Sequence, residues 1–190
     1  MRVLALVALA GLASSASAGV AFFSGDTTGG PTFARPLSLT GTSGTGSNVN
    51  YQVTPFFVSA AGEYTFEAFF PTHDGYIHAY ATDFNPATPL VNLLGGDDDF
   101  SGAFTHLPGS GTGLDASKLG PTGSGNGFGG MALSAGVQYY AVVNAFSNGN
   151  AGPYDAAIGG PGDVTIGLVP APASLALVGL GGLVAGRRRR

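Results

Sequence analysis

The chain has 190 residues, of which 33 are Gly and 12 Pro, with no Cys, no Trp and 9% charged residues, against ~25% in an average soluble domain. That composition excludes a coiled coil and a disulfide scaffold, while 44% hydrophobic residues and a mean hydropathy of +0.27 leave enough apolar surface for one core in one domain. The formal charge of −4 conceals an acidic body: Arg2 and Arg187–Arg190 lie at the ends, and between them Arg35 and Lys118 face eleven acidic residues, leaving −9. Such a body repels phosphate backbones, so nucleic acid is excluded as a partner.

Residues 1–18 read as a helical signal peptide: Arg2 supplies the positive start, Val3–Leu12 an apolar run, and Ala16-Ser17-Ala18 a small-residue cleavage site between Ala18 and Gly19. Export through the Sec translocase is expected, and the absence of cysteine fits a protein that avoids disulfide chemistry.

From 19 to 168 no sustained 3.6-residue apolar period is present, whereas period-two alternation recurs, which predicts an all-β body. In Glu63–Phe70 the residues Tyr64, Phe66, Ala68 and Phe70 share one face, the expected core face, and Glu63, Thr65 and Glu67 the other. Further strands are expected over Val49–Val58, Gly75–Thr82, Leu90–Leu94, Gly127–Leu133, Gln138–Asn144 and Val164–Leu168, with edge strands over Val20–Ser24 and Pro36–Thr40. Turns are expected at Ala61-Gly62, Asp74-Gly75, Gly95-Gly96-Asp97, Ala135-Gly136 and Pro161-Gly162-Asp163. Seven to nine short strands so spaced predict an antiparallel β-sandwich or jelly roll. Pro55 places its strand at an edge or marks a bulge. Gly41–Ser47 and Pro108–Gly127, rich in Gly, Ser and Thr, are expected to be loops, and no repeat of 20–50 residues supports a solenoid or propeller.

From Tyr51 to Gly167 the body resembles the bacterial pre-peptidase C-terminal type of β-sandwich, a non-catalytic module of secreted proteins. The resemblance rests on the order of Ala61-Gly62-Glu63-Tyr64-Thr65-Phe66, Asp74-Gly75-Tyr76-Ile77-His78-Ala79-Tyr80, Gly96-Asp97-Asp98 and Leu133-Ser134-Ala135-Gly136-Val137-Gln138-Tyr139-Tyr140. It implies a binding or structural role.

Residues 169–190 form the third region. Val169-Pro170-Ala171-Pro172-Ala173-Ser174 precedes an apolar stretch, Leu175–Gly186, that stops at Arg187, Arg188, Arg189 and Arg190. The prolines force an extended entry, the apolar run suits a helix in a membrane, and the arginines act as a cytoplasmic stop. Counted from Ala173, the apolar run is about 14 residues, short of the ~20 that span a bilayer. This ending resembles the bacterial PEP-CTERM sorting signal, with Ala171 in place of the central Glu of the Pro-Glu-Pro motif. The resemblance implies an exosortase-type processing enzyme as partner, transient residence in the inner membrane, and a destination at the cell surface or outside the cell. An uncleaved anchor of the same design is the alternative.

Chemistry-bearing residues concentrate at Asp97-Asp98-Asp99-Phe100-Ser101-Gly102. Asp97, Asp99 and Ser101 alternate before a glycine, like the first half of a calcium-binding loop, where hard oxygen ligands converge on a sharp turn. The second half is missing, because Pro108 occupies the position of the bidentate Glu; Asp74 or Asp83 from neighbouring strand ends would have to complete the site. A Ca2+ loop and a solvated acidic turn are both open readings. His73-Asp74 with Ser59 or Ser134 imitates a hydrolytic set, but no Gly-x-Ser-x-Gly elbow accompanies it, and a non-enzymatic protein is expected. His78 is expected on the exposed or half-buried face of its strand. Tyr51, Tyr76, Tyr80, Tyr139, Tyr140 and Tyr154 would bind extracellular polysaccharide if they formed an exposed row, and would fill the core otherwise.

Overall fold

The computed structural model describes residues 19–122 and 127–170. The expected signal peptide up to Ala18, the expected sorting residues Ala171 and Pro172, the apolar segment and Arg187–Arg190 lie outside these residues, while Gly19 and the exposed Pro170 fall within them. No helix among the described residues is long and apolar enough to cross a membrane.

The strands in chain order begin with β1 (Val20–Asp26), β2 (Thr32–Phe33), β3 (Pro36–Ser38), β4 (Gly41–Thr42), β5 (Val49–Val58), β6 (Gly62–Glu63) and β7 (Thr65–Phe69). There follow β8 (Gly75–Ala81), β9 (Leu93–Asp97), β10 (Phe100–Ala103), β11 (Ser110–Gly113) and β12 (Ala116–Leu119). The last are β13 (Phe128–Gly129), β14 (Ala132–Leu133), β15 (Tyr139–Ala145), β16 (Pro153–Gly159) and β17 (Val164–Ile166). One sheet runs β1-β16-β7-β12; the larger runs β13-β9-β8-β15-β5-β17, with β2 also on β5. Every pairing is antiparallel. The body is all-β, and its two principal sheets pack on a shared core.

That core is built as the alternation predicts. Tyr64, Phe66, Ala68 and Phe70 are all at most 1% exposed, and they meet Phe56, Val58, Ile77, Ala79, Tyr139, Ala141 and Val143 of the larger sheet. Removing this aromatic and aliphatic area from water supplies the main favourable term for the fold, at roughly 25 cal/mol per Å2.

Several expectations are corrected by what covers the sheets. β8 is buried on both faces, so His78 is fully buried rather than exposed or half-buried. A second cluster, Phe33, Val49, Tyr51, Tyr80 and Val142 with Phe84 packed against it, covers the outer face of the larger sheet. Glu67, placed by alternation on the solvent face, is also fully buried, because the segment around 105–107 folds over it. The expected loop Pro108–Gly127 contains β11 and β12, whose small residues conceal their pairing potential: Ala116 and Leu119 are buried, and β12 pairs with β7. β16 was not expected. Tyr154, Ala156 and Ile158 face the core, but Ala157 and Gly159 blur the alternation in the sequence.

The expected strand over Leu90–Leu94 starts later, and Gly95-Gly96, expected as a turn, lies inside β9. A side chain on Gly96 would strike the His78 ring 2.6 Å away and the Ile77 carbonyl at 2.9 Å; close approach, not turning, requires this glycine. The expected strand over Gly127–Leu133 splits into β13 and β14, which pair with different partners. Pro55 marks neither an edge strand nor a bulge. It lies in β5 between the stretches paired with β2 and β17, and its carbonyl accepts from Gly167 N at 2.8 Å, so its missing N–H costs no ladder bond to β15.

Candidate metal centre

The strand register brings the acidic residues together. β8 and β9 are neighbours with Ile77 opposite Asp97; extending that antiparallel pairing by a few residues sets Asp74, just before β8, beside Asp98 and Asp99, just after β9. One carboxylate oxygen from each of Asp74, Asp98 and Asp99 lies within 4.8 Å of the other two. The backbone holds them there: Phe146 N donates to the Asp74 carbonyl at 3.0 Å, and the Ser117 hydroxyl donates to the Asp98 carbonyl. In each of the three, Oδ1 is buried and has no hydrogen-bond partner.

Of the residues singled out in the sequence, Asp99 belongs to this group and Asp74 joins it. Asp97, 1% exposed, is not one of the three: its Oδ2 accepts from Lys118 N at 2.6 Å, while its Oδ1 is buried without a partner as theirs are. Ser101 lies in β10 on the exposed hairpin opposite Thr112, and Asp83 is exposed elsewhere. Asp98 takes the place that the loop pattern assigns to Asp97, because the last residue of β9 follows the strand's alternation and its successors do not. The signal that would have found Asp98 and Asp74 is the β8–β9 register, which residue spacing alone does not carry.

Burial pushes the Asp98 carboxyl up to about 7, with the neighbouring Asp99 adding to the effect and Arg35 opposing it. Burial likewise raises Asp97 to about 6, against the Lys118 N–H bond, and raises Asp74, with Asp99 again contributing. A carboxylate in such a place is satisfied by a proton or a cation. Arg35, fully buried, stands nearby: its guanidinium lies 4.2 Å from the centre of the Tyr76 ring and 4.7 Å from that of Phe146. Nε donates to the Phe146 carbonyl at 3.0 Å and Nη2 to Ser43 Oγ at 3.2 Å. Three carboxylates and one guanidinium leave a formal −2. Hard, flexible oxygen ligation with that charge suits a divalent cation such as Ca2+, with water filling the remaining positions.

The tyrosines do not form an exposed row. Tyr51, Tyr76, Tyr80, Tyr139 and Tyr154 are each at most 7% exposed, and Tyr140 is half-buried. The histidines do not converge: the His73 ring abuts Gly152, just before β16, and the His106 ring abuts Gly159 at its far end, about 23 Å along an extended chain. Ser59 Oγ accepts from Asp163 N, and Ser134 N donates to the Tyr139 hydroxyl.

No known protein-family profile matches the chain, and no curated protein does.

Proposed function

We propose that the chain is an exported, non-enzymatic surface or extracellular-matrix protein, delivered by Sec, held by its C-terminal apolar helix and processed near Pro170–Pro172 by an exosortase-type enzyme. The observation that carries this reading is the order of the tail: Pro170-Ala171-Pro172, an apolar run too short for comfortable permanent residence, then Arg187–Arg190. An all-β body of the pre-peptidase C-terminal sandwich type, with an acidic charge that favours solubility, suits life outside the cell. Mass spectrometry of the surface-exposed protein is expected to find a C terminus near Pro170–Pro172; an intact Arg190 terminus refutes processing.

A second reading, a calcium-dependent extracellular module, is favoured by the partnerless oxygens of Asp74, Asp98 and Asp99. Millimolar Ca2+ is expected to raise the unfolding temperature by roughly 4 °C or more, the response to ~1–2 kcal/mol of binding linkage in a domain of this size. No shift removes this reading and leaves the sorting reading intact.

A further inference from the structure

We propose that the outer face of β1 and β16 holds an amino-sugar subsite, built from Phe22, Ser24 and Asp155 against a wall of Leu107 and Pro108. These residues line a groove of about 350 Å3. The site adds glycan binding to the surface-protein reading, and it is independent of the cation and of the calcium-dependent reading.

Alternation along β1 turns Phe22 and Ser24 outward, and Phe22 is 62% exposed although it is a large aromatic. Ser24 lies directly opposite Asp155 of β16, also exposed, while the residue opposite Phe22 is the small Ala157. The ring therefore stands about 7 Å along the strand from a paired hydroxyl and carboxylate, with no bulky side chain in the cross-strand position beside it. Among the described residues neither Ser24 nor Asp155 has a side-chain hydrogen-bond or ion-pair partner. The opposite wall is fixed: Glu67 accepts from the N–H groups of Thr105, His106 and Leu107 at 2.5, 2.8 and 3.2 Å, which holds Leu107 in place.

Charge selects the occupant. The two basic residues of the body are engaged elsewhere, Arg35 between Tyr76 and Phe146 and Lys118 on Glu67, so among the described residues no lysine or arginine compensates Asp155. The groove disfavours uronic acids, phosphates and sulfated sugars and favours a cation. A pyranose carrying a free amine meets each element at once: its C–H face on the Phe22 ring, its ammonium on Asp155 and a ring hydroxyl on Ser24.

The test is calorimetric titration of the full chain in detergent micelles with a β-1,4-glucosamine oligomer, near pH 6 so that the amines are protonated, in EDTA so that the cation site plays no part. Binding is expected, with Phe22→Ala and Asp155→Asn each weakening it at least tenfold, the N-acetylated oligomer binding at least tenfold more weakly, and Asp163→Asn, at an exposed carboxylate elsewhere, changing little. Absence of binding overturns the proposal. So does binding that Phe22→Ala leaves unchanged, which would signal general attraction to an acidic protein. A concentration-dependent dimer abolished by Phe22→Ala and unaffected by the oligomer would assign the β1 edge to a second copy of the chain instead.

Discussion

Lys118 Nζ lies 3.1 Å from Oε1 of Glu67, and the two residues face each other directly across the β12–β7 pairing. The pair anchors the fold's outer cover, because the same carboxylate receives three backbone N–H groups from residues 105–107. Burial alone would raise the Glu67 carboxyl, but those N–H bonds and Lys118 together hold it below its ordinary value. Replacing Glu67 by Gln, which turns one acceptor into a donor facing backbone donors, is expected to cost about 2–4 kcal/mol in denaturant unfolding. Lys118→Met, at a side chain 20% exposed, is expected to cost only about 1 kcal/mol. Since the folded carboxyl is the stronger acid, its contribution is complete above about pH 5 and is lost as pH falls through the depressed folded value. A Glu67→Gln variant whose stability profile below pH 5 is as steep as the parent's would contradict this assignment.

The proposed cation site is expected to respond to pH in the same sense, but through carboxyls that hold their protons rather than lose them early. Burial raises the carboxyls of Asp98 and Asp74, with Asp98 at about 7, and a cation must displace those protons to bind. The calcium-induced rise in unfolding temperature is therefore expected to grow from pH 5 to pH 7.5. Asp98→Asn is expected to abolish the rise while stabilising the cation-free protein at pH 7.5, by removing one of three crowded charges. A calcium response independent of pH, or retained in Asp98→Asn, would place the ion elsewhere.

His78 is expected to stay neutral across the physiological range. Burial lowers its ring to about 3, and Arg35 contributes in the same direction, outweighing hydrogen bonds to Asn144 and Pro36. Its Nδ1 lies 2.9 Å from Asn144 Oδ1 and its Nε2 3.2 Å from the Pro36 carbonyl, and Asn144 Nδ2 donates to the Ala145 carbonyl. Between its unfolded value near 6.5 and its folded one, the unfolded chain binds more protons. The stability His78 contributes is thus present above about pH 6.5 and lost as pH falls toward 3. Nitrogen-detected NMR should show no titration of this ring above pH 4; a midpoint near 6 would mean that water reaches it.

Gly75 opens β8 at a point where a Cβ would lie 2.3 Å from the Phe70 ring atoms. Gly75→Ala is expected to cost about 1–3 kcal/mol by overpacking. Gly149→Ala, at an open site with φ +82°, is expected to cost about 1 kcal/mol through backbone strain alone. A Gly75→Ala variant as stable as the parent would refute the packing argument.

The sequence by itself determined the all-β character and the core face of its clearest strand, because Tyr64, Phe66, Ala68 and Phe70 are large and alternate at the period of a pleated chain. It also set the linear order of features at the two ends on which the proposed sorting rests. Strands made of small residues were not legible: β12 and β16 bury Ala116, Ala156 and Ala157, residues whose hydrophobicity is too slight to mark a face. Only the tertiary structure decided which faces are covered. Glu67 and His78 lie on faces that alternation alone leaves open to solvent, yet both are sealed by segments distant in the chain, those near residues 105 and 33–36. The acidic group was half legible for the same reason. Asp98 and Asp99 are neighbours in sequence, but Asp74 reaches them only because β8 and β9 pair in one register, and pairing between separate strands is settled by the packing of the whole core.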